Sequence, residues 1–207
     1  LKDACNLVGI DVASAVSSLE EKLKNKAGDS LNSTDWREKS MAELVDHILK
    51  RHHVFTRETL MRLKRLAEKV NRVHGDRHPE LEKIEAIVNL MAEEMDGHMA
   101  KEEEMVFPYL KAVEKAGGKK DGIFNPFHSG GEDCRPLKVL MWEHGMTGEE
   151  FVELHQLTND FALPAGACGS YMALYEGLKE LEADLHQHVH LENNVLFEKA
   201  AKANILD

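Results

Sequence analysis

The chain has 207 residues, with 37 acidic against 26 basic side chains and a formal charge of −11, so a phosphate backbone would be repelled and nucleic acid is not an expected partner. Charged residues make up 30%, and no apolar run approaches the roughly 18 residues needed to cross a bilayer, which predicts a soluble protein with no membrane partner. Cys5, Cys134 and Cys168 lie far apart with no Cys-x-x-Cys pair, which argues against a thiolate zinc or iron–sulfur site and fits a reducing, cytoplasmic location.

From the N-terminus, LKDACNLVGIDVASAV lacks the basic start and long apolar stretch of a signal peptide. Val12, Val16, Leu19 and Leu23 have helical spacing within Asp11 to Lys26, and Gly28 to Ser33 reads as a linker. Residues 1–35 are therefore expected to form a short helical appendage plus linker, and residues 36–207 the main domain. Ser40 and Glu43 have the spacing of a capping box, so a long helix should start there. Its amphipathic pattern, Leu44, Ile48, Phe55, Leu60, Leu63, Leu66, Val70 and Val73, runs to Gly75 and Pro79. A second helix is predicted over 79–115, then an irregular Gly- and Pro-rich connection, a third helix over 137–157, the break FALPAGACGS, and a fourth over 170–203. No segment alternates as a strand would. The fold class predicted is all-α, an antiparallel four-helix bundle with a short N-terminal helical appendage.

Within that bundle, His-x3-Glu-x3-(Val/Leu)-Phe occurs twice, as His98, Glu102, Val106, Phe107 and as His188, Glu192, Leu196, Phe197. His53 precedes the first copy by 45 residues and His144 the second by 44. Positions i and i+4 share one helical face, and His53 and His98 sit at similar distances from the turn between their helices, so antiparallel pairing brings them to one level. The same holds for His144 and His188. Four imidazoles and two carboxylates at one height have the composition of a two-metal site in which the carboxylates bridge. Without thiolate, these donors suit iron, manganese or zinc.

Glu94 and Asp184 each lie four residues before a repeat histidine and are expected to accept its second ring N–H; Glu143, next to His144, is a weaker candidate for that role. Val106, Phe107, Leu196 and Phe197 read as core. His186 and His190 fall on the face opposite His188 and read as solvated. His47, His52, His74, His78, His128 and His155 show no partner pattern and are not expected to be ligands. In KEEE at 101–104 only Glu102 is singled out, the rest reading as a solvated face, and Cys168 reads as a buried small residue with no identifiable base.

DWREKSMAELVDHILKRHH, DGHMAKEEEMVFP, WEHGMTGEE and LHQHVHLENNVLFE resemble the Ric family, the "repair of iron centres" proteins, which carry a hemerythrin-like domain. The resemblance covers roughly Trp36 to the C-terminus and maps that family's metal ligands onto His53, His98, Glu102, His144, His188 and Glu192. It implies two non-haem iron ions, oxo- and carboxylate-bridged, and repair of iron–sulfur clusters damaged by nitric oxide or oxidants, by iron donation or small-molecule redox. Damaged iron–sulfur proteins and diatomic ligands such as NO or O2 are the partners implied. The pattern departs from oxygen-carrying hemerythrins, which have more histidines and an aspartate bridge, and from the Glu-x-x-His spacing of ferritin-like proteins. The Cys-Cys pair that family members often carry in a small N-terminal domain is absent. A nitric-oxide or peroxide reductase and a non-catalytic O2/NO sensor are the alternative expectations, and no catalytic residue is assigned beyond the metal centre.

Overall fold

The first bundle helix starts at the expected capping box. Ser40 Oγ accepts from the Glu43 N–H at 3.1 Å, and the Glu43 carboxylate accepts from the Ser40 N–H at 3.1 Å. Two more amides of that first turn, those of Met41 and Ala42, donate to the Glu114 carboxylate at 2.8 Å each. Glu114 lies near the end of the next helix, so one side chain satisfies two otherwise orphaned donors and ties together the two ends of a helical hairpin.

The structure is a computed structural model that describes residues 34–126 and 136–206. The expected helix at 11–26, its linker, Cys5, His128 and Cys134 lie outside the described residues. Four long helices follow. We define α1 as Met41–His47, Ile48–His53 and Val54–His74, and α2 as Glu80–Lys101, Glu102–Val106 and Phe107–Lys115. Helix α3 is Pro136–Thr158, and α4 is Gly169–Leu191, Glu192–Leu196 and Phe197–Lys202. No strand occurs among the described residues. The predicted all-helical bundle and its helix limits are borne out to within a few residues.

The middle segments of α1, α2 and α4 are π-helical, a departure from the regular helices expected there. Wide turns of this kind are rare and concentrate at functional sites. The one in α2 also explains how that helix accommodates Pro108, because the α-helical register restarts at Phe107 and the proline stands in its first turn, where its missing N–H is not needed.

Helix α1 packs along both α2 and α4, and α2 also packs along α3. At Gly177 the α1–α4 approach is so close that a Cβ would lie 2.8 Å from Leu63 Cδ2. Buried apolar side chains form two clusters. One, toward the α1–α2 and α3–α4 turns, includes Leu63, Ile84, Met91, Leu154, Tyr171 and Leu178. The other, toward the opposite end, includes Leu44, Ile48, Phe107, Leu110, Leu196 and Phe197, so the four residues read as core in the repeat are core. At roughly 1.5–3 kcal/mol per large side chain buried, these clusters supply the drive for folding.

The turn into α4 corrects the reading of Cys168. The thiol is only partly buried, and His74 Nε2 lies 3.2 Å from its sulfur. The hydrogen bond with His74, then the Tyr171 backbone N–H, pull its pKa down to about 7. Alkylation of Cys168 by iodoacetamide, read by peptide mapping, should be half-maximal near pH 7 and shift upward in His74→Gln; an unshifted profile contradicts the pairing. For the fold, Glu114→Ala should lower thermal-unfolding stability by about 1–2 kcal/mol through loss of the α1 cap, and an unchanged melt would show that water replaces it.

Candidate metal centre

Between the two apolar clusters lies a layer of buried polar side chains. His53, His98, Glu102, His188 and Glu192 are almost wholly inaccessible, and the His144 side chain is 5% exposed. His53 closes the π-helical turn of α1, while Glu102 and Glu192 open those of α2 and α4. The two copies of the repeat adopt one local structure: an α-helix carrying the histidine, a five-residue π-helical segment beginning at the glutamate, and a renewed α-helix beginning at the phenylalanine.

All six predicted residues converge, in two overlapping groups. His53, Glu102, His188 and Glu192 form one, and His98, Glu102, His144 and Glu192 the other; within each, one donor atom per residue lies within 4.8 Å of all the others. The glutamates are common to both, and their individual oxygens divide between the groups. Glu102 Oε2 is 3.3 Å from His53 Nε2, and Glu102 Oε1 is 3.5 Å from His98 Nε2. Glu192 Oε1 is 2.9 Å from His188 Nε2, and Glu192 Oε2 is 3.2 Å from His144 Nε2.

The unsatisfied groups test whether metal fits. His53 Nε2 and both Glu102 oxygens are buried with no hydrogen bond, each costing roughly 1–3 kcal/mol if left so. The centre also crowds like with like. Burial, then the neighbouring Glu192 charge, raises the Glu102 carboxyl well above the usual range. Burial likewise disfavours charge on Glu192, but His188 and His144 outweigh it and keep that carboxyl low. Burial, then His188, pulls His53 down to about 4, so its imidazole is neutral near pH 7 and available as a donor. Cations placed between these atoms would satisfy the orphaned donors and relieve the carboxylate repulsion together.

The carboxylates behind the ligand candidates differ from expectation. Glu94 is exposed and makes no bond to His98; Glu143 of α3 accepts from His98 Nδ1 at 3.0 Å and is paired with Lys101. Asp184 does not bond His188. Four residues is one turn along α4, which points Asp184 at α1, where it accepts from His52 Nδ1 at 3.0 Å and pairs with Arg51. His52 is buried, and its ring stacks on His188 with centroids 5.5 Å apart and planes 13° apart. Glu103, read as solvated, accepts from His53 Nδ1 at 2.6 Å and from Arg57 Nη1 at 2.8 Å. Burial opposes charge on Glu103 and on Glu143, but Arg57 with His53, and Lys101 with His98, hold both carboxyls below the usual range. His186 and His190 are exposed, as expected.

A cavity of about 100 Å³ lies between α3 and α4 beside the centre, lined chiefly by Met95, Thr147, Phe151, Leu185 and the rings of His144 and His188.

A four-helix bundle with a buried layer of histidine and glutamate defines a class of cation-binding helical proteins, and sequence comparison agrees. Residues 44–200 match the Hemerythrin HHE cation binding domain. The chain is 33% identical over 199 residues, 96% of its length and 81% of theirs, to iron–sulfur cluster repair protein YtfE of Yersinia pseudotuberculosis serotype O:1b (strain IP 31758) and of Yersinia pestis (strain Pestoides F). The chain belongs to the hemerythrin HHE family and, within it, to the Ric group that the sequence resembles.

In metal-stripped protein, folding binds a proton at Glu102, whose folded pKa lies above its unfolded value of about 4.5. The stability this contributes is present below the unfolded value and is lost as pH rises toward the folded one. Metal-free Glu102→Gln should therefore melt above metal-free wild type at pH 8, with the gap closing toward pH 4.5. A variant melting at or below wild type at pH 8 contradicts the buried carboxylate pair.

Proposed function

We propose that the chain holds two iron ions and acts in the repair of iron–sulfur clusters damaged by nitric oxide or oxidative stress, in the cytoplasm. The division of oxygens carries this reading: each glutamate turns one oxygen to the His53/His188 pair and the other to the His98/His144 pair, the disposition a carboxylate needs to bridge two ions. When they ligate metal, the four imidazoles are neutral and the two carboxylates place two negative charges around two cations, so the set would hold metal without neutralising it. The name of the 33% identical Yersinia relatives supports the repair role.

Bound iron would supply an exchangeable ion and a redox-active centre; the protein's own residues govern access and geometry. Glu103, Glu143 and the ring of His52 orient the imidazoles, and the two apolar clusters shield the polar layer at both ends. No helix among the described residues is long and apolar enough to cross a membrane.

The cavity supports a second reading. Its largely apolar walls and volume of about 100 Å³ suit an uncharged diatomic molecule beside His144 and His188, as a nitric-oxide reductase or an O2/NO sensor requires.

Purified holoprotein should contain two irons per chain with Mössbauer parameters of a coupled pair, and should restore a damaged cluster protein anaerobically by transferring iron. Glu102→Gln and Glu192→Gln should each lose iron; two tightly held irons in both would contradict bridging. Repeated turnover of nitric oxide to nitrous oxide without iron transfer selects the reductase, and stable stoichiometric binding without transfer selects the sensor.

A further inference from the structure

The ligand candidates repeat two-fold, but their support does not. His53 Nδ1 is held by Glu103 at 2.6 Å, and Glu103 is gripped by both terminal nitrogens of Arg57 at 2.8 and 3.2 Å. His188 has no hydrogen bond at Nδ1, yet its face is covered by the His52 ring, which the Asp184 carboxylate anchors at 3.0 Å. These residues stand on α1, α2 and α4, where α1 packs against both of the others.

The other pair is built differently. His98 Nδ1 is held by Glu143, a residue of α3. His144, also on α3, has no hydrogen bond at Nδ1, and its ring meets that of His98 at a tilted 58° rather than in a stack. At this level α3 packs against α2 and reaches α4 through His144 Nε2, 3.2 Å from Glu192 Oε2, and the cavity between α3 and α4 is walled by the rings of both His144 and His188. Release of a metal ion requires a ligand ring to swing away. His53 must break a bond to an anchored carboxylate, and His188, although it also lines the cavity, must leave a stacked ring, whereas His144 lines the cavity with no ring stacked on it. Loss of such outer contacts typically costs about 10–100-fold in metal affinity.

We propose, resting on the two-iron reading above, that the two positions are kinetically unequal. The ion between His98 and His144 leaves first and is the one available to a damaged cluster, while the ion between His53 and His188 stays and keeps the polar layer intact. His52 is a positioning residue for the retained ion, acting through His188.

The test is chelation of the 207-residue chain loaded anaerobically with ferrous iron, using an excess of a chromogenic ferrous chelator and following the chelate by absorbance. Two phases of equal amplitude are expected, separated by about 10-fold or more in rate. His144→Ala should bind about one ion and lose only the fast phase. Glu103→Gln and His52→Ala should each accelerate the slow phase by about 10-fold and leave the fast phase unchanged, with His52→Phe, which keeps a ring on His188, restoring much of the slow rate. Release of both ions in one phase by the unsubstituted protein, or a slow phase unchanged in both Glu103→Gln and His52→Ala, overturns the inequality and leaves the two-iron reading standing. Wild-type protein that binds one ion overturns both.

Discussion

Burying two carboxylates side by side is the constraint from which most of this structure follows. Glu102 and Glu192 are completely inaccessible, and a carboxylate oxygen of each lies within 4.8 Å of the other among the imidazoles of His53, His98, His144 and His188. Isolated carboxylates in such a medium would neutralise or unfold the site, because desolvation alone costs several kcal/mol per ion. The surroundings therefore supply four nitrogen donors aimed inward, and the apolar clusters on either side prevent the layer from reaching water by sliding along the axis. Only the bundle brings together six groups that are tens of residues apart in sequence, and cations between them would offset the cost of their convergence.

The π-helical turns follow from the same constraint. In a regular α-helix, a residue at i+4 from a histidine shares its face, but the residues after it must return to an apolar register to pack the second cluster. One wide turn beginning at the glutamate resets the phase, so Phe107 and Phe197 fall into the core directly beyond the polar layer. α1 uses its own wide turn to bury two consecutive histidines, His52 and His53, which point to different partners. α3 carries a single ligand candidate and remains α-helical from Pro136 to Thr158.

The six inward residues were legible in the sequence because helical register and hairpin symmetry are local properties, countable along the chain. The groups behind them were not. Glu103 neighbours Glu102 and looks like any acidic residue on a solvated face; it becomes a partner of His53 only because the π-helical turn rotates it toward α1, and no composition rule signals that rotation. Asp184 repeats the spacing of Glu94, yet one is buried and the other exposed, since α4 faces α1 at that level whereas Glu94 lies on an outer face of α2. The His74–Cys168 contact links residues 94 apart through the packing of two helix ends, and neither residue has a local signal of the other. The doublet His52–His53 was the one available clue: two adjacent histidines at a ligand level cannot both be on one α-helical face, so a buried second histidine requires a partner of its own.

This division between local and tertiary information bears on how evenly a symmetric site can behave. The repeat in α2 and α4 makes the donor set nearly two-fold, and donor type alone would assign both proposed metal positions the same affinity. The supports come from elsewhere in the chain, and the chain has no second copy of the α1 doublet: α3 offers Glu143 and His144 where α1 offers His52 and His53. A ring stacked on His188 and a carboxylate paired to His98 are different devices, one restraining ring tilt and the other raising ligand basicity. A protein that parts with one metal while remaining folded, as proposed, needs such a difference. It arises here from the non-repeated helices rather than from the repeated motif that makes the site recognisable.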